Sequence, residues 1–345
     1  MTASLLFSGW FFYAIYAERN QGATTDRIGG SAEISTRLRE DARDWFRRHF
    51  PESAARAAEN YGIFQYEGTG DIETADEWIL LAHGLDEPGN IWGNLAPVLD
   101  AGGYRVLEFC YPNDQAIHES ARFLADQMSA LLAADFETRP SGIHLIGHSM
   151  GGLVLRDFLT HEALYPQATW KDNTPVRSLI QIATPNHGSW LATYRLPAEL
   201  RDHLFKDFGP DAILNMIWDG TGVAQIDLKP ESSFLTNLNF RPFPKNIYWV
   251  GIAGIGSPVN LASLKDGLVD KLEDLSDSAH SLNDTFPELF KGTGDGCVSI
   301  DSLRCEEMDE VFLVEATHRN IIRSPRGSTP PAIPIVMELL SSGQL

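Results

Sequence analysis

Between residues 143 and 163 the apolar pattern of the chain changes period, with almost no chain between the two patterns. Residues 143–149 read IHLIGHS, an apolar run of strand length, and residues 150–163 read MGGLVLRDFLTHEA, with apolar residues at helical spacing. The join is Gly147-His148-Ser149-Met150-Gly151. It leaves no room for a loop, so a strand must turn into a helix within about two residues. That turn crowds the backbone and requires small residues two positions before and two after the serine, which Gly147 and Gly151 supply. A solvent-exposed turn needs no apolar run before it, and a core strand needs no glycines around a serine. The geometry lifts the Ser149 hydroxyl above the sheet edge, over a helix N-terminus that favours developing negative charge.

The rest of the chain repeats the same alternation from Glu77 onward. EWILLAHG, YRVLEFCYP, VRSLIQIATP, KNIYWVGIAGIG and EVFLVEA read as strands, the second stopped by Pro112. NIWGNLAPVLDAGG reads as a short helix, and PAIPIVMELLSS as the closing one. ESARFLADQMSALLAA puts Phe123, Leu124, Met128, Leu131 and Leu132 on one helical face. Strands apolar on both faces, alternating with helices, imply an α/β fold: a mostly parallel sheet covered by helices on both faces. No internal repeat is visible. Two stretches interrupt the alternation. Residues 189–236 are too long for a simple crossover and too apolar for a disordered loop, which predicts a helical cap or lid. Residues 257–292 form a second insertion of mixed charge. The expected organisation is an apolar N-terminal segment (1–20), a linker and helical region (21–76) and a catalytic domain (77–345).

The N-terminal run ASLLFSGWFFYAIYA, residues 3–17, is continuous and apolar. It is short for a spanning helix, which needs about 20 residues, and no Lys or Arg precedes it as in an ordinary signal peptide. Three readings fit: an uncleaved signal-anchor, a signal peptide cut near Ala17, or a remnant of a longer anchor. The polar sequence that follows argues against a buried first helix, so membrane attachment or export is expected, with a cytoplasmic protein as the alternative. Residues 35–50, STRLREDARDWFRRHF, have helical spacing and read as a solvated helix with internal ion pairs. The net charge of −20 repels phosphate backbones and argues against a nucleic-acid partner. Three cysteines, Cys110, Cys297 and Cys305, are not a disulfide framework and read as ordinary thiols, although Cys297 and Cys305 could pair in an exported chain. No Cys/His cluster has zinc spacing, and neither a metal nor a cofactor is expected.

A serine needs a base to become a nucleophile, and the base needs an acid to orient it. In this architecture the acid and then the histidine should follow the serine in the chain. His318 lies just past the last expected strand, where loops gather at the carboxyl ends. His280 falls in the polar insertion, and His187 precedes any suitable acid. For the acid, Asp295 sits between Gly294 and Gly296, which let its carboxylate approach another backbone closely; Asp301, the rival, stands where a new element begins and reads as a cap. Two backbone N–H groups should bind an oxyanion, those of Met150 and Leu85, with Gly84 letting the backbone swing. His83 is expected to shape that loop, and His148 to pack or hydrogen-bond structurally; neither is expected to carry the proton.

With these residues in place, the chain resembles the lipase and esterase branch of the α/β-hydrolase superfamily, most of all bacterial triacylglycerol lipases and related serine esterases. The resemblance is carried by AHGL (82–85), LIGHSMGG (145–152), ATPNHGS (183–189), DLKPESSFLTNLN (227–239), GDGCVS (294–299) and THRN (317–320), in the order that branch shows. It implies an α/β-hydrolase fold with Ser149 as nucleophile, Asp295 as acid and His318 as base, and hydrolysis of ester or lipid substrates. Two departures stand out: Asn186 separates Pro185 from His187, and Glu87 and Pro88 replace a glycine-rich or aromatic loop. A membrane-associated acyltransferase or phospholipase would use the same triad on a different acceptor. A non-catalytic binding module is the third reading, disfavoured because every triad position is filled. Oligomeric state is not legible.

Overall fold

The computed structural model describes residues 60–68, 75–85, 90–112, 115–134, 139–189, 223–257, 287–289, 292–324 and 327–342. Tyr61–Leu345 forms one compact unit. The expected N-terminal segment at 3–17, the helix at 35–50, residues 190–222 of the predicted lid and His280 lie outside the described residues. No described helix is long and apolar enough to cross a membrane.

The strands are β1 (Gly62–Gln65), β2 (Glu77–Ala82), β3 (Arg105–Cys110), β4 (Gly142–His148), β5 (Val176–Ile182), β6 (Tyr248–Gly254) and β7 (Glu310–Val314). They form one sheet in the order β1-β3-β2-β4-β5-β6-β7. Only β1 is antiparallel, pairing Gly62 with Cys110 and Gln65 with Leu107; the other pairings are parallel. β1 corrects the boundary expected at 77, because the sheet and the compact unit begin upstream of it.

Helices α1 (Ala96–Ala101), α2 (Ile117–Ala134), α3 (Met150–Thr160), α4 (Val223–Asp227), α5 (Ser233–Asn239), α6 (Ile300–Leu303) and α7 (Ala332–Ser341) complete the described fold. Side chains along β2 alternate between two cores, as a strand's period of two requires. Trp78, Leu80 and Ala82 join Leu145, Leu179 and Trp249 under α2 and α3. Ile79 and Leu81 join Ile146, Ile180 and Ile252 under α1 and α7. A sheet buried on both faces is what the unbroken apolar strands foretold. Ala224, Leu228, Leu235 and Leu238 bury in the first of these cores, so the described end of the insertion belongs to the main body.

The parallel strands all deliver their carboxyl ends to one edge of the sheet. The joins that follow β2, β4, β5, β6 and β7 therefore gather there, as the sequence order of motifs requires.

Candidate active site

β4 ends at His148 and α3 begins at Met150, with Ser149 as the only residue between them. Ser149 has φ 53° and ψ −127°, a backbone state that costs a non-glycine residue about 1–3 kcal/mol. The neighbours leave little alternative. A Cβ on Gly147 would lie 2.5 Å from the Gly152 backbone, and one on Gly151 would lie 2.1 Å from the Ala82 carbonyl. A third glycine belongs to the same requirement: a Cβ on Gly152 would meet Thr184 Oγ1 at 2.0 Å. The Ser149 N–H donates to the Ile182 carbonyl at 2.9 Å, which ties the turn to the end of β5. The hydroxyl side of the half-buried serine is left to face its partner.

That partner is His318, four residues beyond β7. Its Nε2 lies 3.0 Å from Ser149 Oγ, and its Nδ1 lies 2.8 Å from Asp295 Oδ2. Asp295 is 1% exposed and His318 7%. The second carboxylate oxygen, Oδ1, accepts the N–H groups of Cys297 and Val298 at 2.8 and 2.7 Å. The His318 N–H donates to the Asp295 carbonyl at 2.9 Å, so the two residues are joined through backbone as well as side chain. Gly296 turns at φ +101°, and a Cβ on Gly254 would sit 2.7 Å from both Asp295 Cβ and the Ala316 carbonyl. Of the two glycines that flank Asp295, a Cβ on Gly294 would lie 2.4 Å from Glu288 Cα, so that glycine allows a close approach of two backbones. The three residues expected from sequence are brought together across 169 positions of chain.

The rivals are placed elsewhere. Asp301 is exposed in the first turn of α6, whose N-cap is Ser299, the acceptor for the Ser302 N–H. His187 pairs its Nε2 with the Arg304 carbonyl at 3.1 Å.

Met150 opens α3, so its N–H has no acceptor within the helix. At the other expected donor, His83 Nδ1 donates to the Gly84 carbonyl at 2.8 Å. Across a trans peptide the N–H points opposite to the carbonyl, so the Leu85 N–H is turned away from the His83 ring. Tyr111 fixes this device: its hydroxyl donates to the His83 carbonyl at 2.5 Å, and its ring stacks on the imidazole at 4.5 Å. His148 is fully buried and donates from Nε2 to the His318 carbonyl at 2.9 Å, with the two rings 4.9 Å apart. This bond holds the His318 backbone.

Sequence reasoning missed a buried polar network beneath the elbow. Asn186 donates to Gln181 Oε1 and to the Leu303 carbonyl, both at 2.7 Å, and accepts from Arg156 Nη1 at 3.2 Å. Gln181 Nε2 donates to the Gly152 carbonyl at 2.8 Å, in the first turn of α3. Arg156 also donates to Asn239 Oδ1 at 2.7 Å and lies over the Trp249 ring, 4.8 Å from its centroid. The signal was present: a charge inside the apolar run LVLRDFL, and an extra asparagine after Pro185. Asn186 thus bonds to β5, the elbow helix and the last residue of α6 at once.

None of the three cysteines is in a disulfide, so Cys297 and Cys305 are not bonded to each other. Among the described residues one group of metal-ligand type side chains is close-set, Asp295, Cys297 and His318.

No curated protein matches the chain. Among solved structures the fold is similar to the lipase BlEst2 of Bacillus licheniformis in its mature form, with a TM-score of 0.55 and 19% identity over 81% of this chain and 98% of that one. The propeptide form of the same lipase gives a TM-score of 0.53 at 19% identity, over 81% of this chain and 53% of that one. At such identity the likeness is one of fold. A model of the alpha/beta hydrolase family matches residues 79–293, from β2 to the residue before the Gly294-Asp295-Gly296 turn. The chain belongs to the alpha/beta hydrolase family.

Proposed function

We propose that the protein is a serine hydrolase of carboxylic esters, acting through Ser149, His318 and Asp295 and an acyl-enzyme intermediate. The observation that carries this reading is the position of the His318 ring, with Nε2 3.0 Å from the Ser149 hydroxyl and Nδ1 2.8 Å from the Asp295 carboxylate. Ser149 Oγ attacks the ester carbonyl while His318 Nε2 takes its proton. Asp295 keeps the other ring proton on Nδ1 and stabilises the imidazolium that forms. The Met150 and Leu85 N–H groups bind the oxyanion of the tetrahedral intermediate. His318 then passes its proton to the leaving alcohol, and water, activated by the same imidazole, releases the acid and restores Ser149.

The substrate class proposed is lipid-like or acyl esters. The apolar sequence from Trp190 to Trp218 supports it as composition suited to an acyl chain, and the run at 3–17 supports work at a membrane surface. The shared fold with a bacterial lipase is in keeping with both.

The test is hydrolysis of p-nitrophenyl esters of increasing acyl length by the full chain beside Ser149→Ala. The expected result is turnover that falls by roughly 10⁴ or more in the variant, with the length profile separating short-chain from long-chain preference. Turnover that survives in folded Ser149→Ala contradicts the assignment.

A further inference from the structure

Cys297 follows the acid by two residues, and its side chain is 4% exposed. One ligand atom from each of Asp295, Cys297 and His318 lies within 4.8 Å of the other two, and all three residues are buried. We propose that these side chains form an inhibitory site for a thiophilic divalent cation of the zinc class. The inhibitory consequence rests on the triad reading above; the binding itself does not.

The donor set selects the ion. One thiolate sulfur, one imidazole nitrogen and one carboxylate oxygen suit a tetrahedral ion of zinc type, with a water in the fourth position. With Zn–S near 2.3 Å and Zn–N near 2.0–2.1 Å, ligand atoms around such an ion stand about 3.2–3.8 Å apart. The hydrogen-bonded Nδ1–Oδ2 pair, now 2.8 Å apart, opens to that range and the widest separation, at most 4.8 Å, closes to it, by movements on the order of 1 Å or less. Calcium and magnesium want six or more oxygens, and here a single carboxylate already commits Oδ1 to two backbone N–H groups. Oδ2, the oxygen facing His318, is the one positioned to ligate. The loop that carries the thiol is fixed, because Ser189 Oγ donates to the Cys297 carbonyl at 2.7 Å. The other buried thiol, Cys305, has the His187 imidazole at 3.9 Å but belongs to no such three-residue group among the described residues.

Occupancy removes the base. Nδ1, the ring nitrogen that faces Oδ2, is the one that ligates. The ring proton then moves to Nε2 and faces Ser149 Oγ, so the imidazole has no lone pair to offer. The thiol loses its proton to solvent as the metal–sulfur bond forms. One proton is released per ion, and nothing is oxidised or reduced.

Two measurements test this on the full chain. In the first, zinc chloride is titrated into an assay of short-chain p-nitrophenyl ester hydrolysis, with each protein's rate scaled to its own rate in the presence of EDTA. The half-inhibitory zinc concentration should rise roughly 10–100-fold in Cys297→Ala, and should not move in Cys305→Ala. In the second, cobalt chloride is titrated without substrate into Ser149→Ala. A near-ultraviolet thiolate-to-cobalt charge-transfer band should appear, and should be absent when Cys297→Ala or Cys297→Ser is added. Cys297→Ser, the isosteric change, carries both measurements if the alanine variant does not fold. Equal zinc sensitivity with and without the Cys297 thiol, or a cobalt band that is absent or survives its loss, overturns the proposal. A cobalt band that depends on Cys297 in a protein without esterase activity leaves the ion site standing and removes the ester-hydrolase reading instead.

Discussion

Ser149 and Asp295, the proposed nucleophile and acid, are held by different forces. Ser149 is held by contact. Three glycines around it carry backbone so close to Ala82, Thr184 and one another that side chains are excluded, and the serine is forced to φ 53°. Asp295 is held by hydrogen bonds. Its Oδ1 receives two N–H groups, its Oδ2 receives the His318 ring, and its backbone pairs with Val298 and His318. Steric fixation is rigid and intolerant, because a misplaced methyl has nowhere to go. Polar fixation is directional but permits an isosteric change of charge, because the backbone donors remain. The nucleophile half of the site should therefore fail by unfolding and the acid half by losing chemistry.

The sharpest break is Gly151→Ala. The added Cβ would lie 2.1 Å from the Ala82 carbonyl, at the end of a central strand. It should cost about 3 kcal/mol or more and leave little folded or active protein, read by urea unfolding beside the esterase assay. A variant of unchanged stability would mean that the elbow relaxes, and that contact does not fix Ser149.

Asp295→Asn should behave in the opposite way. The amide oxygen can still accept the Cys297 and Val298 N–H groups, while the NH₂ faces His318 Nδ1 and forces the ring proton onto Nε2. Activity should fall by roughly 10⁴, with a midpoint of unfolding close to that of the parent. Loss of fold together with activity would erase the contrast between the halves.

His148→Phe keeps a ring in place and removes the donor to the His318 carbonyl. A buried acceptor left unpaired costs about 1–3 kcal/mol, so stability should drop by that order. The turnover number should fall roughly tenfold as the base loses its anchor, with KM little changed. An equal rise in KM would move His148's role from the base to substrate binding.

The smallest effect lies away from both halves. Asp227, at the end of α4, accepts the Ile117 N–H that opens α2 at 2.9 Å. Burial pushes its carboxyl from the ordinary 3.8 up to about 6, with Asp157 adding to the rise. A raised carboxyl means that the folded state holds its proton more tightly than the unfolded one, so stability should rise as pH falls from about 6 toward 4 and be lost as pH climbs back through 6. Asp227→Asn keeps an acceptor and removes the charge. It should flatten that slope and stabilise the protein by about 1–2 kcal/mol at pH 8, without altering esterase activity. Thermal unfolding of both proteins from pH 4 to 8 checks it.

The same contrast explains what the sequence made legible. Contact leaves a signature in residue type, so Gly147 and Gly151 marked the elbow, and the parallel sheet showed in strands apolar on both faces. Gly294 and Gly296 drew attention to Asp295, the proposed acid, for the same reason. Hydrogen-bonded parts left less. Gln181, Asn186 and Arg156 come from three separate elements, and no periodicity joins them before the chain folds. The N–H groups that hold Asp295 belong to Cys297 and Val298, and any residue but proline supplies one. β1 was missed because Gly62–Gln65 is a short antiparallel edge strand with only Gly62 buried, so it lacks the apolar run that marked its neighbours. The stretch 223–236 was read as part of a lid from its place between two strands, whereas Ala224, Leu228 and Leu235 pack into the main core.

The central claim is that Ser149 is a nucleophile driven by His318 and Asp295, and covalent labelling tests it without a choice of substrate. The full chain, His318→Ala and Asp295→Asn would each be treated with an alkyl fluorophosphonate, and the adduct would be mapped by peptide mass spectrometry. A single adduct on Ser149 is expected in the parent, with a labelling rate lower by roughly 10³ or more in His318→Ala and lowered also in Asp295→Asn. An adduct on any other residue, or a Ser149 labelled equally fast without His318, would contradict it.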